Sequence, residues 1–139
     1  MTDDKTKHVT FLNPPTLETP PGYSQVVDVR RGRIVYIAGQ AAFKSKGELV
    51  GRGDFEAQAD QVYRNLSAAL DAVGCNARDL VKLTVFVRDM KNLPIYRRAR
   101  DRFFGTTTPA AAPAVTLVEV SRLFADELLL EIEAVAASA

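Results

Sequence analysis

The chain has 139 residues, 47% of them hydrophobic and 25% charged, and its 18 basic side chains against 17 acidic ones leave a net charge of +1. That length suits one domain with a proper core, and the near-neutral balance gives no whole-molecule field to recruit nucleic acid or an anionic membrane. A lone cysteine, Cys75, excludes an internal disulfide and a cysteine-ligated metal, and the lone His8 gives a histidine triad or zinc cluster little to be built from.

Residues 1–7 are polar and read as a frayed start without the apolar stretch of a secretion signal; no apolar run is long enough to span a bilayer, so a cytoplasmic location is expected. A short strand follows at His8 to Leu12. Pro14, Pro15, Pro20 and Pro21 with Gly22 then forbid regular structure, because proline removes a donor and fixes φ. This stiff loop delivers Tyr23 and Ser24 to a strand from Gln25 to Arg30. The pair Arg31-Gly32 reads as the turn of a hairpin into a second strand, Ile34 to Ala38, closed by Gly39-Gln40. Gly47, Gly51 and Gly53 are too scattered to cradle a phosphate.

From Asp54 to Val73 the apolar positions Phe55, Ala59, Val62, Leu66, Ala69 or Leu70, and Val73 recur at helical spacing. Asp54 suits the N-cap, Glu56 complements the dipole, and Gly74 suits the residue beyond the end. Val81, Leu83, Val85 and Val87 alternate with Lys82, Thr84, Phe86 and Arg88, a strand with one wholly apolar face. Asn92 and Pro94 open a second helix that runs through Phe104, with Leu93, Tyr96, Ala99 and Phe103 inward and Arg97, Arg98, Arg100 and Arg102 around the outer surface. Gly105 stops it, and Thr106 to Pro113 is a loop.

The last stretch, Pro113 to Ala136, reads as a second hairpin turning at Phe124-Ala125-Asp126. Its final strand places Leu128, Leu130, Ile132 and Ala134 on one face and Leu129, Glu131, Glu133 and Val135 on the other. The whole predicts one α+β domain over residues 1–139, with a six-stranded sheet carrying both helices on one face. The opposite face is too apolar to stay wet and too charged for a monomer core, which predicts a homo-oligomer. Glu131 has two readings: an ion pair with Lys82 or Arg88 on the neighbouring strand or subunit, or a carboxyl whose pKa is raised by burial and by Glu133 so that it can hold or activate water. Tyr23 either orients a ligand or plugs a subunit boundary.

Several segments resemble the RidA/YjgF family of reactive-intermediate deaminases. They are Gly22-Tyr23-Ser24-Gln25, Val35-Tyr36-Ile37-Ala38-Gly39-Gln40, Asn65-Leu66 with Ala69-Leu70 and Gly74, Val81 to Val87 with Asp89, and Pro113-Ala114 through Arg122-Leu123 to Glu131-Ile132-Glu133-Ala134. The resemblance implies a two-layer, chorismate-mutase-like fold with a mixed sheet, assembled as a homotrimer around a central barrel with a ligand cleft at each seam. It further implies hydrolysis of 2-imino or enamine acids to keto acids and ammonia, without metal or cofactor. Tyr23 and Glu131 match the family's tyrosine and catalytic glutamate.

Two positions depart from the pattern. Val115, in Pro113-Ala114-Val115-Thr116, stands where the family has its carboxylate-gripping arginine, and Ala38 stands where it has a serine before Gly39-Gln40. Losing two charge-assisted hydrogen bonds forfeits about 3 to 6 kcal/mol, or about two to four orders of magnitude in binding. The expected ligand-binding set is therefore Ala38, Gly39, Val115, Thr116 and Leu117, more apolar than in archetypal members, with Arg97 or Arg88 as substitute cations. Arg122 is expected to point away from position 115. An altered-specificity hydrolase and a non-catalytic metabolite-binding trimer are the leading alternatives. An endoribonuclease or translation-inhibitor role rests only on the arginine cluster of the second helix.

Overall fold

The computed structural model describes residues 8–105 and 112–139; the expectations for the frayed start and for most of the loop before Pro113 lie outside them. Helix α1, Phe55–Asp71, begins as its sequence suggests. Asp54 is extended, with φ −119°, and its carboxylate accepts the Ala57 amide, which satisfies one orphan donor of the first turn. Phe55, Ala59, Val62, Leu66 and Leu70 are all buried and share one core with Tyr96, Ala99 and Phe104 of helix α2, Leu93–Phe104. Strand β4, Leu80–Val87, contributes Leu83, Val85 and Val87 to that core, and strand β6, Leu130–Ser138, contributes Leu130, Ile132, Ala134 and Ala136. The two helices therefore cover the same face of the sheet. No helix among the described residues is long and apolar enough to cross a membrane.

The strand pairing differs from both expected hairpins. Strand β2, Val26–Val29, pairs with β1, Val9–Leu12, in a separate two-stranded ribbon, while β3, Arg33–Gln40, pairs antiparallel with β6. Strand β5, Ala114–Glu119, runs parallel to β4, from Lys82 opposite Ala114 to Val87 opposite Glu119. The sheet order is β3-β6-β4-β5, so the six strands divide into a four-stranded mixed sheet and a two-stranded ribbon. The physical reason is that period-two alternation says which way side chains point but nothing about which edge a strand bonds. Strand β6, fully apolar on its core face, gains most at the centre with both edges paired. Strand β5 has three exposed residues and sits at the edge. Both β3-α1-β4 and β4-α2-β5 join strands that run in the same direction, which is why each connection carries a helix.

Two buried polar side chains hold the layers in register. Gln58, fully buried on α1, donates to the Gly51 and Glu127 carbonyls at 3.1 and 2.9 Å and accepts the Leu129 amide at 2.9 Å. Ser24 is also buried; its hydroxyl donates to the Ala112 carbonyl and its amide to Pro113 O, pinning the proline loop to the start of β5. Asn65 donates to the Ala41 and Phe43 carbonyls and so fixes the loop leaving β3.

Candidate functional site

The docking of Ser24 brings Tyr23 beside β5 and α2, and a cleft of about 310 Å³ opens there. Its walls are Tyr23 and Pro21 from the proline loop, Val115 and Leu117 from β5, Met90 before α2, and Leu93, Tyr96, Arg97 and Arg100 from α2. Four of the residues expected from sequence, Tyr23, Arg97, Val115 and Leu117, therefore meet. A second hollow, about 450 Å³, lies on the sheet face away from the helices and is lined by Tyr36, Ala38, Lys82, Thr84, Glu133 and Val135. Ala38 belongs there rather than with Tyr23.

Glu131 of β6 lies opposite Phe86 of β4, with its side chain against Gly39. The register of β3 on β6 slips between Ile37 and Gln40, so Ala38 and Gly39 share the space opposite one residue, a bulge that turns Gly39 toward Glu131. A Cβ at Gly39 would lie 2.8 Å from the Glu131 carboxyl carbon, so only glycine leaves the carboxylate its place. Burial first, and Glu133 second, raise the Glu131 pKa above the usual glutamate value. Among the described residues Glu131 makes no ion pair. Lys82 instead donates to Thr116 Oγ1 at 2.8 Å, and the Arg88 guanidinium lies 3.5 Å from the Asp126 carbonyl. Within one chain, then, neither Lys82 nor Arg88 pairs with Glu131. Arg88 and Thr116 line neither hollow, and Arg122 is exposed beyond the end of β5.

Arg100 was assigned to the outer surface from its sequence position, and the structure corrects this. Its side chain is only 13% exposed, and a Cβ at Gly22 would sit 2.8 Å from the guanidinium carbon. Gly22, with φ +85°, is the residue that lets the loop close over the cation. Arg100 also holds Asp101 at 3.0 Å and approaches the Pro21 carbonyl at 3.4 Å. The signal was present in the spacing: Arg97 and Arg100 are three residues apart and share one helix face with Leu93 and Tyr96. At the cleft floor Tyr96 accepts a hydrogen bond from Tyr63 at 3.1 Å, and burial pushes both phenols up. Arg102 is spent elsewhere, on Asp60 at 2.9 Å and Glu56 at 3.2 Å.

This arrangement has many relatives. The family model described as Endoribonuclease L-PSP matches residues 16–138. A RutC family protein of Pyrococcus horikoshii is 39% identical over 115 residues, covering 82% of this chain and 85% of that protein. A 2-iminobutanoate/2-iminopropanoate deaminase of Salmonella typhimurium is 39% identical over 114 residues, covering 82% and 85%. The crystal structure of YyfB, a Rid family protein of unknown function from Yersinia pestis, superposes with a TM-score of 0.83 at 34% identity, covering 95% of this chain and 100% of that one. With matching segments, matching fold and a family model that spans all but the chain's ends, the protein belongs to the RidA/YjgF family.

Proposed function

We propose that the chain is a divergent RidA-like hydrolase of the cytoplasm, acting on an imine or enamine in clefts formed where copies of a homotrimer meet. Within one chain the walls of the Tyr23 cleft do not include Glu131; a neighbour seated against the sheet face is what would unite the Tyr23 cleft of one copy with the Glu131 and Gly39 of another. The observation that carries the reading is Glu131, a half-buried carboxyl with a raised pKa and no counter-ion among the described residues, seated on a glycine bulge. A carboxyl made more basic than usual by its surroundings is better suited to accept a proton from water and return it. Water would add to the carbon of the C=N bond while Glu131 accepts its proton and passes it to the nitrogen, giving a carbinolamine; Glu131 would then take the carbinol hydroxyl proton and deliver it to the nitrogen as the C–N bond breaks, so that ammonia leaves and the carbon is left as a carbonyl. Tyr23 is free to orient the ligand, since its hydroxyl has no hydrogen-bond partner among the described residues. Water is the one co-reactant this scheme needs.

The name of the Salmonella relative supports a substrate with a C=N bond. Val115 argues that short 2-imino acids are poor substrates here. The test is to generate imines of increasing side-chain size with an amino-acid oxidase and to follow ammonia and carbonyl release. Turnover above buffer for at least one imine, lost in Glu131→Gln, is expected. Rates equal to buffer across the series would leave a metabolite-binding trimer instead. A ribonuclease reading finds less support, because its arginine cluster is broken up: Arg102 is ion-paired, Arg100 is covered, and among the described residues only Arg97 and Arg98 of the cluster are exposed without an ion pair.

A further inference from the structure

The cleft beside Tyr23 lacks a cation on β5 but holds two on α2. Arg97 is exposed at the cleft, and among the described residues no ion pair or hydrogen bond engages its guanidinium. Arg100 is fixed under Gly22. Of its five N–H donors, Nε and one on Nη2 face Asp101 and one on Nη1 faces the Pro21 carbonyl, which leaves two. The contact to Pro21 is long, at 3.4 Å, and Asp101 is well exposed, so neither saturates the cation. The rest of the lining is largely apolar: Val115 and Leu117 on β5, with Met90 just before α2 and Leu93 at its start. One end of the cleft thus attracts negative charge, and the rest excludes water.

We infer that Arg97 and Arg100 form an anion clamp on α2 that selects a monocarboxylate with a branched or aromatic apolar body, seated against Val115 and Leu117. The inference rests on the ligand cleft proposed above, and it deepens that reading by naming the class of ligand. The position of the charge explains the preference. A guanidinium at position 115 would fill the space that Val115 leaves open, so a clamp moved to the helix leaves β5 as an apolar seat for side-chain bulk. A cleft of about 310 Å³ lies at the low end of small-molecule sites and is ample for a branched acid of five or six carbons.

Isothermal titration of the full-length protein with isocaproate and with isocaproamide, a neutral molecule of the same shape, tests the clamp. Isocaproate is expected to bind at least about tenfold more tightly than the amide, and Arg97→Gln and Arg100→Gln each to weaken isocaproate about tenfold while shifting the amide by less than about twofold. Arg100 is packed, so thermal melting of Arg100→Gln is compared with the parent. If that variant melts early, the exposed Arg97→Gln decides. Equal affinity for acid and amide, no binding of either, or parental isocaproate binding in Arg97→Gln would overturn the inference. Acid binding by a protein that hydrolyses no imine would leave the clamp standing and remove the hydrolase. Parental imine turnover in the double variant, with isocaproate binding unchanged, would do the reverse.

Discussion

Glu131 and Gly39 act as one unit, because the bulge in β3 exists to leave the carboxyl room. The raised pKa fixes the sign of its pH dependence. A carboxyl whose pKa is higher in the folded state than in the unfolded state contributes its stability below the unfolded value and loses it as pH rises through the folded value. Glu131→Gln, which never ionises, should therefore raise the urea midpoint at pH 7 relative to the parent. That gain should vanish in acid, below the ordinary glutamate range, where both side chains are neutral. The same variant should lose imine turnover, a trade of activity against stability. Gly39→Ala should mimic the catalytic loss by pushing the Glu131 carboxyl aside, with ammonia release as the readout; parental turnover in Gly39→Ala would mean that Glu131 need not stand where it does. From sequence, Glu131 and Glu133 were visible as neighbours on one strand face, but the bulge was not. A register slip is decided by the partner strand, which alternation on one strand does not reveal.

At the scale of elements, the helices were legible in detail and the sheet was not. Asp54, the stripe from Phe55 to Leu70, and Pro94 opening α2 all act where local chemistry places them. Gln58 was missed because a glutamine on an apolar stripe looks like an interruption, yet it ties α1 to the Gly51 loop and to the residues that lead into β6. Gln58→Leu keeps the volume but orphans one amide and two carbonyls. It should cost about 3 kcal/mol and lower the melting temperature by roughly 10 °C, measured by circular dichroism. A loss under about 1 kcal/mol would mean water replaces the amide group. Ser24→Ala releases the proline loop from Ala112. It should weaken ligand binding in the Tyr23 cleft by more than it lowers stability, which titration and melting measured on the same sample would separate.

For the whole molecule, the sheet face opposite the helices is the unspent surface. Tyr36, 82% exposed, stands there beside half-buried Val135 and exposed Glu133. An aromatic left this open, over a hollow of about 450 Å³, fits a face that another copy covers. Sedimentation equilibrium at micromolar concentration should return the mass of three chains, and Tyr36→Glu with Val135→Glu should return that of one. A single-chain mass for the parent would remove the shared clefts and with them the proposed catalytic union of Tyr23 and Glu131.

Side-chain periodicity and capping chemistry were enough to say which apolar residues of this chain face inward and roughly where its helices begin and end, since each depends on neighbours within a few positions, while the departure of Val115 and Ala38 was visible only against the family the chain resembles. Which strand bonds which, that Gly39 yields to Glu131, and that Arg100 is drawn under Gly22 into the cleft were settled by packing between segments far apart in the chain. Hydrogen-bonding edges are alike from one strand to the next, and an arginine's long stem lets the fold choose where the charge ends, so neither outcome is written in local sequence.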